Sequence, residues 1–313
     1  MKYLDFTRKA LKISRSWPAD LVYTRMLQVA RAASLARVPV ILELHDIPSG
    51  RFGPSRLRDF LRTPTHKRVV FITRALRKLV EERLEIEIPE EEVIIAPDGV
   101  DLERYANLPV PSDARRDLPI SDRFTVLYSG SFYQGRGMQM LFDLAGALSE
   151  MQFIWVGGSP EEVAYWRQKV TSAGLENVIL TGFVSNAELP RYQASADLLL
   201  MPYSRNVAAS SGGNIAEVTS PMKLFEYMAC GRTIVTSDLP VLHEVLSDQN
   251  AVFCPPDDLV HWIYELKALA EDASRRQRLG KQAWIDVQKY SWRYRMKRIL
   301  DAWKTLGGKN TDE

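Results

Sequence analysis

Cysteine is nearly missing from this sequence: Cys230 and Cys254 are its only two in 313 residues. Both stand in apolar surroundings, which predicts buried thiols in a reducing compartment rather than a disulfide framework. Long apolar runs are also missing. None approaches the roughly 20 residues that a membrane-spanning helix needs, and no secretory signal opens the sequence. His45, His66, His243 and His261 are the only histidines and show no metal-ligand spacing, so no metal site is predicted. There is no internal repeat and no low-complexity tract. Together these absences predict an ordinary cytoplasmic globular protein.

What is present fits that class, with 46% hydrophobic and 26% charged residues. The length suits about two domains, each with its own core. The net charge of +2 hides an asymmetry: residues 1–70 hold 14 Lys/Arg against five Asp/Glu, the remainder 27 against 34. A basic N-terminal part suits anionic lipid headgroups or phosphorylated acceptors. Solvated arginines on surface helices would give the same pattern. Nucleic acid is not predicted as a partner, because no binding motif occurs and the chain as a whole is not strongly basic.

Short β-branched runs alternate with helical stretches from end to end. Candidate strands are Asp20–Arg25, Pro39–Asp46, Arg68–Thr73 and Glu92–Ala96, then Val126–Gly130, Phe153–Gly158, Val178–Phe183, Asp197–Tyr203, Thr233–Asp238 and Ala251–Pro255. Such alternation predicts an α/β protein with doubly wound parallel sheets. Leu108–Pro119, with three prolines and little apolar periodicity, reads as a linker. The expected division is a partial first domain over 1–110, a second domain over 120–285, and a terminal helix over 286–306. The polar stretch Asn206–Val218 reads as a loop facing whatever binds at the helix that follows it.

That helix lies in SPMKLFEYMACGRTIVTSD, residues 220–238. Ser220 is expected as N-cap, Pro221 in the first turn, Gly231 as the stop and Thr233–Ser237 as a buried strand. Bare amides at a helix start can take phosphate, and Glu226 can take ribose hydroxyls. An amphipathic helix with a solvated glutamate fits the same residues. YSGSFYQGRGMQML, residues 128–141, places a glycine turn after a strand, with Arg136 and Gly137 before a new helix. It lacks the G-x-G-x-x-G fingerprint, and a plain strand-to-helix turn explains it equally well. In TGFVSNAELPRYQASADLLLMPY, residues 181–203, Ser185 and Glu188 suggest a capped helix before a strand ending at Tyr203. Gly130, Gly157, Phe183 and Tyr203 all fall at carboxyl ends of predicted strands, where open parallel sheets bind ligands.

In this order, YSGSFYQGRGMQML, GFVSNAELPRYQASADLLLMPY and SPMKLFEYMACGRTIVTSDLPVLHEVL resemble the donor half of family 4 glycosyltransferases of the group 1 type. ELHDIP (43–48) and IIAPDGVDLERY (94–105) resemble parts of the acceptor half, and YSWRYRMKRILDAW (290–303) its returning C-terminal helix. The resemblance implies the GT-B architecture of two Rossmann-like domains. It also implies retaining, metal-independent transfer from a nucleotide diphosphate sugar, with no other cofactor. It assigns the ribose to Glu226, the leaving diphosphate to Arg136, close donor approach to Gly130 and the reacting carbon's neighbourhood to His45. Ser220, Pro221, Met222, Lys223 and Leu224 would line the phosphates or sugar.

The sequence departs from the family pattern in three ways. Val218 stands where the first glutamate of an E-x7-E pair is expected, and Glu217 is one residue off. Ser131 follows Gly130 where many members carry arginine, which leaves Arg136, helped by Lys223, as the diphosphate cation. The acceptor half lacks its usual opening strand–helix units, so the first domain is expected to be incomplete: either the sequence is a fragment with a misplaced start, or the domain is completed by a partner chain or dimerisation. The implied role is sugar transfer to a polysaccharide, glycolipid or other surface-glycan acceptor at the inner face of a membrane. A non-catalytic nucleotide-sugar-binding subunit is the alternative.

Overall fold

The computed structural model describes residues 2–17, 19–206 and 216–304. Its contacts divide the chain into two units. The first comprises the chain up to Pro97, Val218–Ser220 and the chain from Arg293; the second comprises Asp98–Glu217 and Pro221–Trp292.

The first unit is built on a four-stranded parallel sheet, β1 (Val22–Thr24), β2 (Val40–Leu44), β3 (Lys67–Phe71) and β4 (Val93–Ile95), in sequential order. Helices α1 (Lys2–Ser16), α2 (Leu27–Leu35), α3 (Gly53–Leu61) and α4 (Arg74–Leu84) alternate with these strands. Every residue of β2 and β3 is buried, Glu43, Lys67 and Arg68 among them, as expected of strands covered on both faces of a parallel sheet. Thr73 caps α4 by accepting from the Leu76 amide at 3.0 Å.

The second unit carries α5 (Pro111–Arg116), β5 (Thr125–Gly130), α6 (Met138–Ala147), β6 (Gln152–Gly157), α7 (Pro160–Ser172) and β7 (Val178–Gly182). It continues with α8 (Leu189–Ala194), β8 (Leu198–Met201), α9 (Met222–Cys230), β9 (Thr233–Ser237), β10 (Ala251–Cys254), α10 (Leu259–Glu271) and α11 (Ala273–Val287). Its six strands run parallel in the order β10-β9-β8-β5-β6-β7. The chain steps outward from β5 to β7, then returns to the other side of β5 to lay down β8, β9 and β10. The switch point therefore lies between β5 and β8, and a doubly wound sheet opens a crevice beyond the carboxyl ends of such a strand pair. Trp155, Phe153, Tyr128, Leu141 and Trp262 fill the core around it. The last helix, α12 (Trp292–Lys304), returns to the first sheet, where Ile299 packs with Ile41, Val70 and Ile94.

All the expected strands form, with ends shifted by no more than two residues, and both cysteines are buried. Three local expectations are corrected. Leu108–Pro119 is not structureless: Pro111 starts α5, and Arg115 bonds Asp122 at 2.8 Å and Asp197 at 3.0 Å. Pro at a first helical position costs nothing, so the proline that suggested a linker instead begins a helix. Helix α9 begins at Met222 with Pro221 as N-cap and no capping side chain, so Ser220 does not cap it. Helix α8 starts only at Leu189, later than expected, while Ser185 Oγ accepts from the Glu188 amide at 3.4 Å in the turn before it and its carbonyl from the Leu189 amide at 3.0 Å. Most of the Asn206–Val218 loop lies outside the described residues.

Candidate active site

The loop after β5 and the start of α9 bring two cations to the switch point. Gly130 ends β5 with φ +141°, a conformation closed to most side chains, and a Cβ there would lie 2.6 Å from Lys223 Nζ. The bare backbone thus makes room for the ammonium. Lys223 Nζ sits 3.8 Å from the centroid of the Tyr128 ring and 5.4 Å from that of Tyr203. The Arg136 guanidinium lies 5.1 Å from the same Tyr203 ring and 4.7 Å from that of Tyr133, whose hydroxyl it also bonds. Two like charges therefore share one buried aromatic face.

Neither cation is fully satisfied. Lys223 Nζ and Arg136 Nε are buried without a hydrogen-bond partner among the described residues. The Tyr203 hydroxyl feels the Arg136 charge, yet it too meets hydrogen-bond geometry with no described residue. Burial, and then the Arg136 charge, push the Lys223 ammonium well below its ordinary pKa, with Glu226 opposing. Cation–π contact recovers part of the lost hydration. Leaving a buried cation unpaired is nonetheless costly, and such groups are rare unless something else completes them.

Glu226, one turn further along α9, is held by a polar network. Gln193 Nε2 donates to its carboxylate at 3.5 Å and to Ser129 Oγ at 3.1 Å, while Gln193 Oε1 accepts from Tyr105 at 2.9 Å. The Tyr227 hydroxyl accepts from the Ser129 amide at 2.8 Å. Burial raises the Glu226 pKa above the ordinary carboxylate value, against pull from Gln193, Arg104 and Lys223. A carboxylate so fixed, with one oxygen still weakly used, suits a ligand's paired hydroxyls.

Of the residues expected here, Gly130, Arg136, Tyr203, Lys223 and Glu226 converge. Gly157 supports them from behind: at φ +115° it packs so that a Cβ would lie 2.2 Å from the Gly130 carbonyl oxygen. Ser131 is exposed, and its carbonyl accepts from the Tyr128 hydroxyl at 2.7 Å. Leu224 is buried in the core and its amide donates to the Pro221 carbonyl at 2.9 Å, so only Met222 and Lys223 keep first-turn amides for a ligand. Met222 is exposed. Phe183, 85% exposed at the end of β7, joins no part of this cluster, and Ser220 is grouped with the first unit. Glu217 is exposed, while Val218 is buried with its carbonyl accepting from Thr73 Oγ1 at 3.0 Å, so no glutamate occupies the departing position. Sequence reasoning missed Tyr128, Tyr133 and Gln193. The two tyrosines flank the glycine turn within the motif and could have been noticed; Gln193 left no signal. A cavity of about 840 Å³ lined by Tyr133, Gly135, Trp166 and Pro202 lies against the same loop but is not lined by Arg136, Lys223 or Glu226.

In the first unit, His45 follows β2 and its Nε2 bonds the Glu43 carboxylate. Glu43 also accepts from Tyr23 and takes a two-pronged bond from Arg295 of α12, at 3.0 and 3.2 Å. Burial opposes ionisation of Glu43, but the bonds from His45, Tyr23 and Arg295 win and hold its pKa at about 2. The carboxylate is thus a fixed anion that sets the orientation of the imidazole.

Residues 123–272 match the family model described as "Glycosyl transferases group 1". The second unit resembles glycosyltransferases of group 1. The chain is 27% identical over 236 residues to the 2-deoxystreptamine glucosyltransferase of Streptomyces kanamyceticus, covering 67% of this chain and 59% of that one. It is 25% identical over 287 residues to the phosphatidyl-myo-inositol mannosyltransferase of Mycolicibacterium smegmatis, covering 88% and 68%. It thus spans about three-fifths and two-thirds of the length of these relatives, both sugar transferases by name. HepE from Anabaena, solved in complex with UDP, superposes with a TM-score of 0.77 at 20% identity, covering 96% of this chain and 82% of that one. The fold is GT-B, with its two parallel sheets.

Proposed function

We propose that this protein is a retaining, metal-independent glycosyltransferase of family 4. It takes its sugar from a nucleotide diphosphate sugar and passes it to a polysaccharide, glycolipid or other surface-glycan acceptor at the inner face of a membrane. The observation that carries this reading is the pair of incompletely satisfied cations at the switch point of the second sheet, where Lys223 Nζ and Arg136 Nε are buried without a hydrogen-bond partner among the described residues. A diphosphate completes both. That HepE was solved with UDP supports the same class of ligand.

The chemistry follows from where charge moves. As the bond between the sugar C1 and the β-phosphate oxygen breaks, negative charge grows on the diphosphate. Lys223, Arg136 and the amides of Met222 and Lys223 meet that charge without reorganising, the condition under which such groups lower a barrier most. These cations supply the neutralisation that the reaction needs. Glu226 accepts hydrogen bonds from the ribose hydroxyls and fixes the donor's position. The acceptor oxygen bonds to C1 on the face the diphosphate leaves, and its proton passes to the departing phosphate oxygen, which retains the anomeric configuration. The first unit, with His45 held by Glu43, receives the acceptor.

Release of nucleotide from a panel of UDP-, GDP- and ADP-sugars tests this reading. The native protein should release nucleotide from one of them, and Arg136→Ala and Glu226→Ala should each slow release by roughly 10²-fold or more. Native-like affinity and rate in Glu226→Ala would remove Glu226 from the site. Donor binding without transfer or hydrolysis would instead mark a non-catalytic subunit.

A further inference from the structure

The first unit has a pocket of its own. A cavity of about 560 Å³ opens beyond the carboxyl ends of β1 and β2, lined by Arg25, Glu43, His45, Arg51, Phe52 and Arg56 among others. Its lining holds three arginines, Arg25, Arg51 and Arg56, against two acids, Glu43 and Asp46. Arg51 and Arg56 each hold a guanidinium 5.3 Å from the centroid of the Phe52 ring, which is 52% exposed, so two like charges share one aromatic platform. None of Arg25, Arg51 and Arg56 forms an ion pair among the described residues. Of the two acids, Glu43 is 6% exposed and already bonded to Arg295, Tyr23 and His45. The other acid of the lining, Asp46, accepts from the Ile47 amide at 2.7 Å.

We infer that this pocket binds the phosphate of a phosphorylated polyol or sugar, and so selects an acceptor that carries a phosphate ester. Guanidinium groups match phosphate oxygens in pairs, and two of them already gathered on one ring lose little freedom on binding. The exposed Phe52 face suits the apolar C–H face of a polyol or sugar ring. The polar floor at His45 receives its hydroxyls. That the bound molecule is the acceptor rests on the transferase reading; that the pocket takes a phosphate ester does not. The same chemistry is offered by a soluble phosphate ester and by a phospholipid headgroup.

Calorimetry with the full chain separates these. With UDP present to occupy the donor site, glycerol 3-phosphate should bind and glycerol should not. The double change Arg51→Ala, Arg56→Ala should weaken glycerol 3-phosphate by about tenfold or more, while the Lys, Lys pair retains part of the affinity. Arg25→Glu, a single change at an exposed site, should weaken it too. UDP affinity should stay unchanged in every variant. Sedimentation with phosphatidylcholine vesicles, with and without phosphatidylglycerol, identifies the source: arginine-dependent binding to the anionic vesicles alone means a headgroup, and to glycerol 3-phosphate alone a soluble ester. Binding of neither probe, or binding indifferent to all the arginine changes, overturns the inference. Loss of UDP binding with arginine-dependent phosphate binding intact would strike the donor reading alone.

Discussion

Lys223 carries the sharpest consequence at the scale of one residue. In the free protein its ammonium is buried beside Arg136, and its pKa lies well below the ordinary lysine value. A bound diphosphate would stabilise the charged form and raise that pKa again. Where the free amine is partly neutral, binding must therefore take up a proton. Nucleotide affinity should fall as pH rises through the depressed pKa of the free protein, and level off once the bound-state pKa is passed. Calorimetry of UDP in two buffers of different ionisation enthalpy measures that uptake directly. Lys223→Met should abolish the uptake and weaken UDP at least tenfold; uptake unchanged in that variant would assign the proton to another group. Lys223 stood in the motif at the start of α9, but its state did not: the aromatic slot of Tyr128 and Tyr203 draws on strands whose sequence positions say nothing of their meeting.

At the scale of elements, α12 is fastened to β2 by one buried pair. Arg295 and Glu43 are 7% and 6% exposed, and Arg295 also donates to the carbonyls of Pro97 at 2.7 Å and Ala96 at 3.0 Å. Cutting one partner of such a pair leaves the other charge buried, which typically costs about 3–5 kcal/mol. Arg295→Met should therefore destabilise the first unit by about that amount in urea unfolding, and Arg295→Lys, which keeps charge but not the fork, by less. Equal losses in the two variants would show that packing of α12, not the pair, holds it. The helix itself was legible in YSWRYRMKRILDAW, and most strands were legible as short apolar, largely β-branched runs, several closed by glycine, proline or aspartate. The pair was not: its members lie 252 positions apart, and nothing local marks either as buried. Local chemistry likewise placed the starts of α8 and α9 too early: α8 begins at Leu189, beyond the turn that Ser185 closes, and α9 at Met222, after Pro221.

At the scale of the whole molecule, the two sheets each have their own core, and the ionisable groups that matter are unequally shared between them. The first unit rests on a carboxylate that must stay charged. Glu43 has its pKa held at about 2, against 4.5 in the unfolded chain. A group depressed in this way contributes stability that is fully present above the unfolded value and is lost as pH falls through the folded one. Between those limits the unfolded state binds the proton and the native state does not, so the first unit should weaken steadily from about pH 4.5 towards pH 2. The second unit has no such carboxylate at its site: Glu226 is shifted upward, and so favours the neutral form on acidification. Unfolding followed residue by residue, by amide exchange across that pH range, should show β2 and α12 losing protection before β5 and β9. Glu43→Gln removes the titrating group; it should be less stable than the native chain at neutral pH yet lose less on acidification. Loss of protection in β2 at the same pH and to the same extent in both proteins would place the acid-sensitive group elsewhere.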